Sequence, residues 1–186
     1  MKRQAGMTTE RHGQKAALLA LGVMAMFLLG IAAAPASAES KKLLGTFQAW
    51  DAFTLTQDNG RTICYMVSLP EDTSPDNVNR GETYITVTHS PARKAYDEVN
   101  VVAGYPYDES EPVTFNIDGN TFDLFTKGDA AWAYDSDQDR EIVNAMKQGL
   151  NLIVTGLSTR GTTTRDEYSL LGFTDAHAAI SKACNR

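Results

Sequence analysis

Histidine, serine and a carboxylate are the residue types from which a hydrolytic site is built, and this chain is short of the first. It carries three histidines, of which only His89 and His177 lie beyond the amino-terminal apolar segment. His89 precedes Ser90 at the end of Thr83-Tyr84-Ile85-Thr86-Val87-Thr88, a run with the composition and period of a strand. Neighbours on a strand point to opposite faces, so His89 and Ser90 do not make a base and its nucleophile. No Gly-x-Ser-x-Gly elbow occurs either. A strand-end histidine holding a structural hydrogen bond is the favoured reading of His89. His177 is expected to be exposed on the last helix.

Metal and cofactor chemistry fare no better. Asp135, Asp137 and Asp139 alternate as at the start of a calcium loop, but the sixth position is Arg140 and the twelfth is Met146, where glycine and glutamate are needed. Helix capping is the simpler use of these acids. Zinc asks for more ligands than two cysteines and a stray histidine supply. No glycine pattern cradles a phosphate. The expectation is no metal and no cofactor.

The two cysteines, Cys64 and Cys184, are expected to pair, with two free thiols as the competing reading. The loop they close spans 120 positions, for which chain entropy gives an upper figure of about 4–5 kcal/mol. Cys-x-x-Cys is absent, which argues against redox work. Four aromatics, Trp50, Trp132, Tyr105 and Tyr107, could line a groove, although core packing is the commoner use of such residues. His89, Tyr105, Trp132 and Arg160 are the expected surface candidates.

The elements that must position these residues read as follows. One strand runs from Lys41 to Thr54, and Asp58-Asn59-Gly60 signals a type I′ hairpin. The return strand is Arg61 to Leu69, and Pro70 to Gly81 is a loop. Strands follow at Thr83–His89, Asp97–Tyr105, Val113–Ile117, Thr121–Phe125 and Ala130–Tyr134, with a second hairpin at Asp118-Gly119-Asn120. A helix starts at Ser136, capped by Ser136 with Asp139, favoured by Asp137 and stopped at Gly149. Strands at Leu152–Gly156 and Thr162–Leu171 flank the turn at Arg160-Gly161. Thr174 caps the last helix, where Phe173, Ala176, Ile180 and Cys184 share a face. Eight or nine strands and two helices predict a mainly β, antiparallel sandwich or barrel-like domain.

Upstream, Lys2, Arg3, Arg11 and Lys15 precede an uncharged stretch from Ala16 to Ala34, then Pro35 and Ala36-Ser37-Ala38. This is the order of a secretory signal peptide, with cleavage between Ala38 and Glu39. An uncleaved anchor is the alternative, and Met7 could be the true start. The expected organisation is a leader, residues 1–38, and one domain, residues 39–186, in the periplasm or secreted. Losing the leader removes four of 17 basic and one of 23 acidic residues, which takes the net charge from −6 to −9. Such a domain is a poor nucleic-acid binder. It meets a membrane only through the leader, if that is retained.

Many short stretches resemble the invasion associated locus B family of alphaproteobacteria. They include Arg80-Gly81, Val87-Thr88-His89 with Pro91, Gly104-Tyr105-Pro106, Ala131-Trp132 and Arg160-Gly161-Thr162. The ending Ser169-Leu170, Gly172-Phe173 and Ala176 is the most specific part. The resemblance implies an exported, mostly β, disulfide-bearing envelope protein without known enzymatic activity, and for some members a role in host-cell entry. The expected function is therefore non-enzymatic binding of a protein or envelope partner. The alternative is a hydrolase or small-ligand-binding periplasmic protein.

Overall fold

Period-two alternation of apolar residues builds the sheet. In β3 (Thr62–Ser68), β5 (Tyr84–Ser90), β7 (Val113–Ile117) and β10 (Asn151–Leu157), every second residue is buried. In the computed structural model the structure describes residues 39–76 and 78–186. The expected leader and Ala38 lie outside the described residues, so the cleavage junction is described only on its Glu39 side.

The remaining strands are β1 (Ser40–Phe47), β2 (Trp50–Thr56), β4 (Asp72–Ser74), β6 (Ala95–Val102), β8 (Asn120–Lys127), β9 (Ala130–Trp132) and β11 (Thr163–Ser169). All pairings are antiparallel, in the order β1-β2-β3-β5-β6-β9-β8-β7-β10-β11-β4. β8 joins the two halves. Asn120–Leu124 pairs with β7, and Phe125–Lys127 pairs with β9. Both halves feed one core, from Trp50, Met66 and Val87 to Phe115, Leu124 and Val154. The Trp50 indole N–H ties them directly, donating to the Ser169 carbonyl at 3.0 Å. Arg80 does the same with both carboxylate oxygens of Asp166 on β11.

The expected β-rich domain with one internal and one C-terminal helix is what the chain forms, and several local expectations change. The first strand is two, β1 and β2, joined at Gln48, whose φ is 53°. No Gly or Asn-Gly marks that turn. The Asp58-Asn59-Gly60 hairpin is not type I′, because only Gly60 takes positive φ; Asn59 instead accepts the Arg61 N–H. Asp118 and Gly119, both at positive φ, make the true two-residue turn of that kind. The loop after Pro70 contains β4, an edge strand on β11.

The helices are α1 (Ser136–Gln148) and α2 (Phe173–Ala183). Asp135, not Ser136, caps α1, accepting the N–H groups of Asp137 and Gln138. Gly172, in the left-handed region, starts α2 without a side-chain cap, so Thr174 does not cap it.

Candidate functional site

α2 packs across β1, β2, β3 and β5, and a disulfide pins its end. Cys64 on β3 is bonded to Cys184, with Cα atoms 6.0 Å apart. Cys64 sits opposite His89 in the β3–β5 ladder, so the bond marks the floor of a polar cluster. His89 follows Ile85 and Val87 on the inward face of β5 and has 0% exposure.

A bulge supplies the acid. Pairing between β5 and β6 runs from Thr88↔Glu98 to Ser90↔Ala95, which leaves Tyr96 and Asp97 together opposite His89. Asp97 takes φ of 61°, and its freed N–H donates to His89 Nδ1 at 3.1 Å. That bond leaves the His89 proton on Nε2, which donates to Ser181 Oγ at 3.1 Å. The Ser181 hydroxyl then donates to His177 Nδ1 at 3.4 Å, and His177 Nε2–H donates to Asp97 Oδ1 at 2.7 Å. The result is a closed ring through His89, Ser181, His177 and Asp97. Arg186 pairs with Asp97 Oδ2 and lies 5.0 Å from the Tyr96 ring centre.

Burial pushes His89 down to about 4; Asp97 pulls the other way, while His177 and Arg186 add to the fall. Burial alone would raise Asp97, but the bonds from His177 and Arg186 outweigh it and hold that carboxyl near 2. His177 is itself buried, at 7% exposure, where an exposed helix position was expected. It belongs to the stripe of Phe173, Ala176 and Ile180.

Ser181, His177 and Asp97 stand in the order of an acyl-transfer triad. The serine is nonetheless poorly placed for attack. It lies inside α2, where amide N–H groups are spent on the helix ladder and none converges as an oxyanion hole. Its oxygen is also taken by His89.

A second site lies where the sheet parts. β9 is three residues long and bridges only Asn100–Val102 to Phe125–Lys127. Beyond it, the first turn of α1 fills the gap. Asp139 accepts the Val99 N–H at 2.9 Å, and Gln138 donates to the Asp123 carbonyl at 2.9 Å. Asp139 is thus a buried strand-edge acceptor, not a helix cap, and burial raises it to about 6 against the pull of the Val99 bond. Asp137 pairs with Arg140. Asp135, Asp137 and Asp139 therefore serve three separate structural ends.

A groove of about 680 Å³ opens over this seam. Phe125, Trp132 and Tyr134 line one wall, with ring centres 5.7 Å apart from Phe125 to each of the others. Phe125 is 38% and Tyr134 62% exposed. Tyr96 also lines it, and Lys94, Lys127, Arg140 and Arg186 share the lining with Glu98, Asp135 and Asp139.

The four surface candidates fall in three places. Trp132, half-buried, is in the groove. His89 is buried in the cluster, because the period of β5 carries it inward. Tyr105 is buried too, its hydroxyl 2.5 Å from Thr164 Oγ1 and its ring against Tyr107. Arg160 is exposed on its turn and borders a small recess with Tyr105. Trp50 and Tyr107 are core.

The family model of the invasion associated locus B (IalB) protein matches residues 50–181, more than half of the chain. The chain belongs to the invasion associated locus B family. The IalB match takes in the whole aromatic wall and His89, Asp97, His177 and Ser181, but stops short of Cys184 and Arg186. No curated protein and no solved structure is similar enough to the chain to count as a match. Among the described residues, no helix is long and apolar enough to cross a membrane.

Proposed function

We infer that this chain is an exported, non-enzymatic envelope protein that holds an extended segment of another protein in the groove at the sheet seam. Three properties support export: the leader-like amino terminus, the Cys64–Cys184 bond, which persists in oxidising compartments, and membership of the family. A part in host-cell interaction, which the family name suggests, belongs to the same proposal.

The observation that carries the binding role is the contiguous aromatic wall of Phe125, Trp132 and Tyr134, left open to solvent. Large rings give much contact area for little conformational entropy, which suits them to recognition. The rim is of mixed charge, with Lys94, Lys127, Arg140 and Arg186 beside Glu98, Asp135 and Asp139, so the rings rather than a net charge carry the recognition. The closed hydrogen-bond ring at Ser181 disfavours the hydrolase alternative.

The test is a photo-crosslinking residue at Tyr134 in cells, followed by binding of the identified partner to purified protein. Trp132 fluorescence is the readout, since Trp50 is sealed in the core. The expected result is a crosslinked partner whose binding shifts that emission and is lost in Phe125→Ser. Equal binding by Phe125→Ser would overturn the assignment.

A further inference from the structure

His89, Asp97 and His177 come from three different elements, β5, β6 and α2, yet one ligand-type atom from each lies within 4.8 Å of the others. All three are buried. Two imidazoles and one carboxylate form a donor set that suits zinc and its first-row neighbours, with a fourth position left for water. We propose that this cluster is a binding site for a divalent transition metal, held by His89 Nδ1, His177 Nε2 and Asp97 Oδ1.

The spacing is close to what the ion requires. Ligand bonds of about 2.0–2.1 Å in a tetrahedron put neighbouring donor atoms about 3.3 Å apart. Asp97 Oδ1 is 2.7 Å from His177 Nε2 and 3.8 Å from His89 Nδ1. Shifts of about half an ångström bring these two pairs to that value, and the third, between the two imidazoles, starts within 4.8 Å. The first pair must spread, because the proton now between its atoms leaves when the ion enters.

Ser181 completes the logic. With the metal on His89 Nδ1 and His177 Nε2, the other ring nitrogens, His89 Nε2 and His177 Nδ1, both carry protons. Both face Ser181 Oγ, at 3.1 and 3.4 Å, and one hydroxyl oxygen can accept both. Outer groups of this kind fix the ring orientation of metal-bound histidines. The cost falls on the Asp97 N–H and the Ser181 O–H, which give up His89 Nδ1 and His177 Nδ1 as their acceptors.

An approach exists as well. A groove of about 410 Å³ reaches Asp97, His177 and Ser181, but not His89, from solvent, past Arg140, Lys147 and Arg186. Arg186 already supplies positive charge to Asp97, through Oδ2 rather than Oδ1. It competes with the ion electrostatically without blocking the ligand atom.

The experiment is zinc chloride titration of the disulfide-bonded protein, purified without a histidine tag, by calorimetry and thermal unfolding near neutral pH. Zinc at a hundredfold excess over its dissociation constant should raise Tm by about 5–10 °C, and calcium should not. His177→Gln should abolish the binding heat. Ser181→Ala, which keeps all three ligands, should weaken zinc about 10- to 100-fold. Arg186→Ala, which removes the competing charge, should tighten it up to about fivefold. No zinc heat in the unaltered protein, an equal response to calcium, or a folded His177→Gln protein that still binds would each overturn the assignment. If His177→Gln does not fold, unchanged affinities in Ser181→Ala and Arg186→Ala overturn it instead.

Discussion

The cluster beneath α2 and the groove beside α1 are built from similar material and treat it in opposite ways. Each combines aromatic rings with charged groups at an irregularity of the sheet, a bulge in one case and a parting of strands in the other. In the cluster, every polar hydrogen of the ring meets an acceptor inside the protein, and a disulfide closes it from below. In the groove, Phe125 packs against both Trp132 and Tyr134, and Phe125 and Tyr134 are exposed to solvent. Satisfied polar groups rigidify a fold, whereas an unsatisfied apolar wall marks a place for something else to sit.

That contrast is broken most severely from the cluster side. Replacing Cys64 and Cys184 by serine should cost about 4 kcal/mol, because the bond spans a sequence separation of 120 residues; urea unfolding of the oxidised and substituted proteins measures it. Asp97→Asn comes next. Asparagine tolerates the left-handed backbone, but the charge that His177 and Arg186 both use is gone, and about 2–3 kcal/mol should go with it.

The pH dependence sharpens the comparison. His89 titrates near 4 when folded and near 6.5 when not, so its contribution is complete above 6.5 and is lost as the pH falls toward 4. Asp139, raised from 3.8 to about 6, slopes the other way: its contribution is complete below 3.8 and is lost as the pH rises through 6. Removing the second isolates the first. Asp139→Asn should gain about 2–3 kcal/mol relative to the unaltered protein between pH 4 and pH 7, read from urea midpoints at the two values. The smallest effect belongs to the groove. Tyr134→Ser should change stability by less than about 0.5 kcal/mol while weakening partner binding, which separates recognition from folding.

Much of the fold was legible because it follows local periods. Alternating residues located β3, β5, β7 and β10, and a face at helical spacing located α2. The same face held a signal that went unread: His177 lies one turn after Phe173 and beside Ala176, so its burial follows from the stripe. His89 likewise sits two residues beyond Val87 on the inward side. The bulge had no such mark. Asp97 looks like the first residue of a strand, and nothing near it announces a positive φ. The meeting of His89 and Asp97 with His177, about 80 positions later, is a product of topology, which no local pattern encodes. The role of Asp139 was hidden for the same reason, since an acid in a first helical turn already has a sufficient local use.

The parting of β6 from β8 has one more consequence. Val99 belongs to a strand by position, but its amide proton is held by a carboxylate on α1. In deuterium exchange that proton should report on the seating of the helix and lose its protection when α1 lifts, while the neighbouring amide of Val101, within the stretch of β6 paired to β9, stays protected. One amide thus becomes a gauge of whether an occupant of the groove tightens the seam or pries it open.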